Sequence, residues 1–469
     1  MKFLKILKNQ YFWLGLIILT GFLLRLYKID APIADWHSWR QADTAAVTRN
    51  FIKEGFNPFL PKYDDFSAMS ETPLTNHLRL RFVEFPVYNM FVYPLYLWFG
   101  VNETYHRLVS VLFSLGSIAF VYLIAKRYLS VAVSLLSAFI FAALPFNVFF
   151  SRTTLPEPAF LFFALGMVYF MDKWIWGFIF MAVAFLIKPW AIFFFLPLLY
   201  LIYIKRQKKL WIKFVLFSIV AMLPFLLWRL WILQTPEGIP ASNWLFNGDG
   251  IRFRPAFFWW IVQQRLGGEI LGVSGLALFV IGLLVKLKNH FLHIWVLSLV
   301  MYLVIVATGN VRHNYYQLIL TPILSIFMAR GFVYLFTGNR DFIPRIFTIF
   351  LAVFLLPMSF YFGFKQVKEF YKINNPPIIE AGKKADQLLP KEAIVLAPYN
   401  GDSAFLYQIN RPGWATEVLP IKEMVADFGV THFVSVTKDD KTAWVRENFT
   451  VVTEEENFLI IDLRKTNKP

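Results

Sequence analysis

The chain has no cysteine among its 469 residues. Disulfide frameworks, zinc–thiolate centres and cysteine nucleophiles are therefore excluded, and the redox state of its compartment stays open. Acids are scarce as well: 30 Asp and Glu stand against 46 Lys and Arg, a formal net charge of +16. No Walker-type loop, internal repeat or low-complexity segment is present, so ATP-driven transport has no support. Charged residues make up 16% of the chain, whereas 58% is hydrophobic and 19% aromatic.

Those apolar residues fall in repeated runs of nearly twenty, long enough to cross a hydrocarbon core of roughly 30 Å. A nucleic-acid partner would be one reason for a basic chain. Here the basic residues sit in short clusters between apolar runs, such as Lys205, Arg206, Lys208 and Lys209. That is the positive-inside pattern, and membrane orientation accounts for it. The start resembles a signal peptide, with Lys2, Lys5 and Lys8 before an apolar run, but no small-residue cleavage site follows. It reads as an uncleaved first span with a cytoplasmic N-terminus.

About eleven spans follow from hydropathy and basic flanks: 9–26, 104–125, 131–150, one from Pro158 to Asp172, 174–187, 190–204, 212–233, 268–285, 291–308, 317–336 and 346–364. Lys126 and Arg127, Lys205 to Lys213, Lys286 and Lys288, and Arg340 and Arg345 then fall on the cytoplasmic side. Residues 27–103 form a long first loop outside, and residues 86–100 in it are apolar. Making 86–100 a twelfth span would move Lys126 and Arg127 outside, so a helix lying at the surface is expected there. Residues 365–469 are polar, with short apolar runs at Ala393–Ala397, Thr431–Val436 and Phe458–Leu463 and helix-like stretches at about 420–428 and 441–449. That alternation points to a small extracytoplasmic α/β domain. The expected fold is thus an all-α polytopic membrane domain, 1–364, followed by an α/β domain, 365–469.

Chemistry concentrates in the first loop, Asp35-Trp36-His37-Ser38-Trp39-Arg40-Gln41-Ala42-Asp43 onward. Ser38 and Gln41 match a capping box and Gly55 a helix stop, so a helix over about 39–54 is expected. Trp39, Asp43, Ala46, Val47 and Asn50 share one face of it. An acid on a mainly apolar face must be paired, protonated or working. Asp43 is then either a general base that takes a proton from an attacking hydroxyl, or a structural acid paired with Arg40 or another arginine. Asp35 is the rival base, or a turn residue before the helix. Trp36 and Trp39 suit stacking on a sugar or interfacial anchoring.

A second acid, Glu157, lies in Arg152-Thr153-Thr154-Leu155-Pro156-Glu157-Pro158. Thr154 to Glu157 also fits a capping box, which leaves room for a part in orienting an acceptor or a metal. Arg152, Lys188, Arg252, Arg254, Arg265 and Arg312 lie outside, against the positive-inside bias. A lipid phosphate would explain them through charge-assisted hydrogen bonds. For Lys188 the competing reading is snorkelling, and for Arg312-His313-Asn314-Tyr315-Tyr316 it is an interfacial belt. His37, His77 and His313 lie outside with Asp64, Asp65 and Glu71, but no spacing such as H-E-x-x-H marks a metal site. A divalent cation is left open.

The order of these parts resembles the GT-C membrane glycosyltransferases, specifically the protein O-mannosyltransferase and lipid A aminoarabinose transferase superfamily with its RgtA/B/C/D-like members. The likeness spans roughly 10–365. It rests on Arg25-Leu26-Tyr27, the acid-bearing helix Gln41 to Phe51, Arg107 to Arg127, the Ser151-Arg152 to Glu157 loop, Ile187-Lys188-Pro189, and Arg312 to Tyr316 before Pro322. The resemblance implies a polyprenyl-phosphate-linked sugar donor, catalysis on the extracytoplasmic side of the cell membrane, a carboxylate base in the first loop and inversion at the sugar carbon. The acceptor would be a glycan, lipid or protein. Asp43, Asp35 and Glu157 become the catalytic candidates. Arg152, Lys188, Arg312 and Tyr315 would meet the lipid phosphate, and Trp39, Arg40, Gln41, His37 and His313 the substrates. The family commonly carries an Asp-Glu pair near the start of the loop helix. Aligned on Arg49, Arg40 and Gln41 stand there instead, and Asp43 lies about one turn further along. A transporter or flippase is the alternative, although the span interiors are nearly free of ionisable groups. An inactive relative, or an assembly protein recruiting partners through residues 365–469, is another.

Overall fold

The computed structural model describes residues 9–71, 74–338 and 343–467. Lys2, Lys5, Lys8 and Arg340, used above for orientation, lie outside the described residues. The chain divides into two compact units: 1–29, 107–229 and 242–370 form one, and 30–106, 230–241 and 371–469 the other. The C-terminal region therefore does not form a unit by itself, as the expected boundary at 365 had it. It shares a core with the first loop.

The first unit is helical, and the chain is a membrane protein. Glu103–Lys126, Lys208–Gln234, Asn314–Thr337 and Arg345–Tyr371 are each long and apolar enough to cross a bilayer. Pro255–Ile270 and Gly272–Leu284 pass the same test as a pair bent by 108°. Six shorter apolar helices accompany them among the described residues: Gln10–Arg25, Val131–Ala143, Glu157–Tyr169, Trp174–Ile187, Pro189–Lys205 and Phe291–Ile305. Helix Gly272–Leu284 packs on Thr321–Thr337 through two glycines. A Cβ on Gly282 would stand 1.9 Å from the Phe327 carbonyl oxygen, and one on Gly331 2.0 Å from that of Leu278. Small residues of this kind let helix backbones touch in a membrane. Arg330 crosses the same seam and donates to the carbonyls of Gly282 and Val285, both at 2.9 Å, which closes the orphan end of that helix.

The arginines near the end of the first helix have the same kind of work. Arg25 is fully buried and donates to Ser151 Oγ at 2.7 Å and to the carbonyls of Gly21 and Ala142. Arg107 and Arg152 both donate to the carbonyl of Lys28, at 3.0 and 2.9 Å, just past that helix. Buried carbonyls without helical partners need such donors.

The second unit is built on a five-stranded sheet, β1 (Val395–Leu396), β2 (Gly413–Trp414), β3 (His432–Ser435), β4 (Phe449–Glu454) and β5 (Leu459–Thr466), in the order β2-β1-β3-β5-β4. The β1–β2 and β1–β3 pairs are parallel, and β3–β5 and β4–β5 antiparallel. Three of these strands lie on the three apolar runs marked in the sequence. Helices Ile421–Phe428 and Asp440–Asn448 fall on the two marked helical stretches. Alternation along the strands sends Val395, Val434 and Ile460 to one core, and Leu396, Phe433 and Ile461 to the other. The first of these cores takes in Ala42, Ala45, Ala46 and Phe51 of the loop helix, Ser38–Glu54. The first loop also lengthens the sheet: the Gly413 N–H donates to the Asp64 carbonyl, and the Phe66 N–H to the Gly413 carbonyl, both at 2.9 Å. Residues 86–100 form a helix, Val87–Phe99, within this unit.

Candidate functional site

The loop helix is buried from Ser38 to Phe51, Trp39 alone excepted, so its polar residues all face protein. It has no capping box. His37 takes the N-cap place with φ +56°, which draws Ser38 inside the helix, and its hydroxyl donates to Asp402 Oδ2 at 2.9 Å. Gln41 is then free of capping duty. Its amide donates to Asp35 Oδ1 at 2.6 Å and to the Trp36 carbonyl at 2.9 Å. Gly55, φ +99°, ends the helix as expected.

Asp43 is 5% exposed, and both its oxygens are engaged. Arg81 Nη2 lies 2.6 Å from Oδ2, and the Ser403 hydroxyl donates to Oδ1 at 2.5 Å. Burial raises the affinity of this carboxyl for a proton above the usual carboxylate range, while Arg81 and then the Ser403 hydrogen bond oppose that rise. The pairing arginine is not Arg40. Arg40 instead grips Glu84 with both carboxylate oxygens, at 2.6 and 2.7 Å. Around Asp43 stand two further acids whose proton affinity burial also raises. Asp65 is pushed up to about 6, and Asp402 moves in the same direction. Arg49 pairs with Asp64 at 2.5 Å and lies 4.1 Å above the Tyr407 ring. Trp39 is half-buried and Trp36 exposed. Asp35 is buried against Gln41.

In the first unit, Glu157 opens helix Glu157–Tyr169 with Pro156 at the N-cap, which rules out the Thr154–Glu157 capping box. Its carboxylate lies instead 2.7 Å from Lys188 Nζ, with both side chains below 8% exposed. Lys188 is therefore not snorkelling. The break that holds it is local: Lys188 is extended, φ −152°, between helix Trp174–Ile187 and a 3-10 turn that begins at Pro189. Its Nζ also sits 5.4 Å from the Tyr316 ring. Glu157, Lys188, Trp190, Tyr302, Tyr315 and Tyr316 line one cavity. His313 stacks on Tyr315 at 5.4 Å. Arg312 points elsewhere, to Asp249 at 3.5 Å, and is more than half exposed. Arg152 is spent on the Lys28 carbonyl. The structure thus brings together Glu157, Lys188 and Tyr315 in one unit, and Asp43 with the Trp39 backbone in the other.

Sequence reasoning missed Arg81, Ser403, Asp402, Glu84 and Tyr302. Arg81 and Glu84 had a faint signal, as charges beside an apolar stretch of the first loop. Ser403 had none, because 360 residues separate it from Asp43. No group of three or more metal-ligating side chains occurs among the described residues.

Comparison with known proteins bears on the fold. A model of the dolichyl-phosphate-mannose-protein mannosyltransferases matches residues 85–228. The solved structure of ArnT from Cupriavidus metallidurans superposes with a TM-score of 0.66 at 14% identity, over 96% of this chain and 97% of that one. The chain has the GT-C fold. A second ArnT structure, bound to undecaprenyl phosphate, matches at a TM-score of 0.64, 14% identity and the same coverage. The oligosaccharyltransferase of Archaeoglobus fulgidus shares the GT-C fold more distantly, with a TM-score of 0.56 and 11% identity over 90% of this chain and 69% of that one. No curated protein matches by sequence.

Proposed function

We propose that the chain is a glycosyltransferase that moves a sugar from a polyprenyl-phosphate donor to an acceptor hydroxyl outside the cytoplasm, with Asp43 as general base. The observation that carries this reading is the Asp43 carboxylate itself. It is buried, yet oriented by a guanidinium on one oxygen and a hydroxyl on the other. A carboxylate has about four lone-pair sites on its two oxygens, so both partners can stay in place while it accepts a proton. Burial moves its proton affinity toward the working range of a base.

In the reaction, the acceptor oxygen attacks the sugar C1 and its proton passes to Asp43. The bond from C1 to the phosphate oxygen breaks, and the polyprenyl phosphate leaves with the electron pair. Attack opposite the leaving group inverts the sugar carbon. Within the helical unit, Lys188 and Tyr315 are the proposed contacts of a lipid phosphate. The ArnT structure holding undecaprenyl phosphate supports a lipid phosphate as the ligand of this fold. Membrane orientation from the basic loops supports an extracytoplasmic site and a multi-pass cell-membrane protein.

One observation favours a second reading, an inactive relative. Both Asp43 oxygens already have protein partners, as a purely structural ion pair would. A panel of polyprenyl-phosphate sugars, mannosyl and aminoarabinosyl donors among them, decides between the two. The proposed enzyme consumes at least one donor; a purified, folded chain that consumes none is the inactive relative.

A further inference from the structure

The first loop and the C-terminal region clasp each other through two serine–aspartate pairs that run in opposite directions. Ser38 of the loop helix donates to Asp402 Oδ2 at 2.9 Å, and Ser403 donates back to Asp43 Oδ1 at 2.5 Å. Asp402 and Ser403 are held in turn. The Ala404 N–H donates to Asp402 Oδ1 at 2.8 Å, and the Ser403 carbonyl accepts from the Tyr407 N–H at 3.0 Å. Ser403 is 6% exposed, so water does not compete for its hydroxyl. The same hydroxyl lies 3.3 Å from the Trp39 carbonyl, one turn before Asp43 on the helix.

We propose that Ser403 is a positioning residue for the Asp43 carboxylate, so that the C-terminal region, far away in sequence, completes the base of the first loop. This rests on the reading of Asp43 as the base. A carboxylate turns about its last bond, and one fixed partner leaves it free to swing. Arg81 fixes Oδ2 and Ser403 fixes Oδ1, which sets the plane in which the remaining lone pairs point. A hydrogen bond to the charged form also favours that form. Without the hydroxyl, Asp43 would hold its proton to higher pH and lose its fixed orientation. The other charged or titratable groups that act on it are Arg40 on its own helix, Asp64, Asp65 and Tyr63 on the returning loop, and Asp402 on the C-terminal segment. None of these is altered by a change at 403.

The test uses the full-length protein and whichever polyprenyl-phosphate sugar the wild type consumes. Ser403→Ala is expected to lower kcat about tenfold and to move the acid limb of the pH–rate profile up by about one unit, the equivalent of one lost charge-assisted hydrogen bond. KM for the donor stays unchanged. Ser403→Thr, which keeps a hydroxyl, retains the wild-type acid limb. Ser38→Ala breaks the other half of the clasp and, reaching Asp43 only through Asp402, moves the limb far less than Ser403→Ala does. A readout without turnover is the infrared carboxyl band that disappears in Asp43→Asn; its titration midpoint rises in Ser403→Ala. If Asp43→Asn is inactive while Ser403→Ala moves neither limb nor band, the inference fails and the base reading stands. An equal shift in Ser38→Ala overturns it too, by showing general loosening. Full transfer by Asp43→Asn removes the base reading and this inference together.

Discussion

Replacing Arg81 with methionine removes the cation from a buried pair whose side chains are 8% and 6% exposed. Methionine keeps much of the volume, so the chief loss is charge. Deleting one partner of a buried ion pair costs about 3–5 kcal/mol, because the other charge is left in a poor solvent. Asp43 has an escape that most orphaned charges lack. Its proton affinity is already raised by burial, with Arg81 the strongest opposing influence. Without Arg81 it rises further, and a proton neutralises the orphan at low pH. The sign follows: a carboxyl whose folded proton affinity exceeds its unfolded one stabilises the fold when protonated, and that contribution is lost as pH rises. Arg81→Met is therefore expected to destabilise by about 3 kcal/mol at pH 8 and by clearly less at pH 5. The double variant Arg81→Met, Asp43→Asn, which buries no charge, recovers most of the loss at pH 8. Denaturant unfolding of the purified protein, followed by tryptophan fluorescence, measures this, since Trp39 and Trp414 lie in the same unit. Equal loss at both pH values, or a double variant no more stable than the single, would refute the reasoning.

Three other outcomes are expected. Asp65, pushed up to about 6 from 3.8, contributes stability that is fully present below about pH 4 and lost as pH rises through 6. Two units are worth about 3 kcal/mol, so Asp65→Asn flattens the stability profile between pH 4 and 7, and an unchanged profile counts against that burial. Lys188→Met should weaken binding of undecaprenyl phosphate about 10–100-fold, the value of a lost charge-assisted bond, with Lys188→Arg closer to wild type; equal Kd values would remove Lys188 from the donor site. Gly282→Ala forces a Cβ to 1.9 Å from a backbone oxygen, whereas Gly15→Ala meets nothing within 4 Å. The first should lose folded protein in the membrane, an overpacking cost of about 1–3 kcal/mol or more, and the second should not.

The helical unit was legible because hydropathy is a local signal. Apolar runs announce themselves, and one break fell at Lys188–Pro189 as marked, whereas the break at Leu144 inside the expected span 131–150 was not foreseen. The apolar runs at 393–397, 431–436 and 458–463 likewise gave three strands. The shorter β1-neighbour Gly413–Trp414 and helix Ala404–Ile409 are too brief to show a period. In the candidate site, the buried ionic groups Asp43, Glu157 and Lys188 were legible as residues that need partners, since charge on an apolar background stands out. Their partners were not. Arg40 is three residues from Asp43 yet turns to Glu84, while Arg81 and Ser403 reach Asp43 through folding alone. Both capping boxes failed for one reason: His37 and Pro156 occupy the N-cap places, so Ser38 and Glu157 fall inside their helices and bond elsewhere.

The most direct measurement is sugar transfer by Asp43→Asn, with the protein present in the membrane at wild-type level. The carboxamide keeps the shape and one acceptor oxygen but cannot take the acceptor's proton, and it leaves Arg81 without its carboxylate, which is why the protein level is checked alongside. The account predicts that donor consumption seen with the wild type is lost. Undiminished consumption would contradict it.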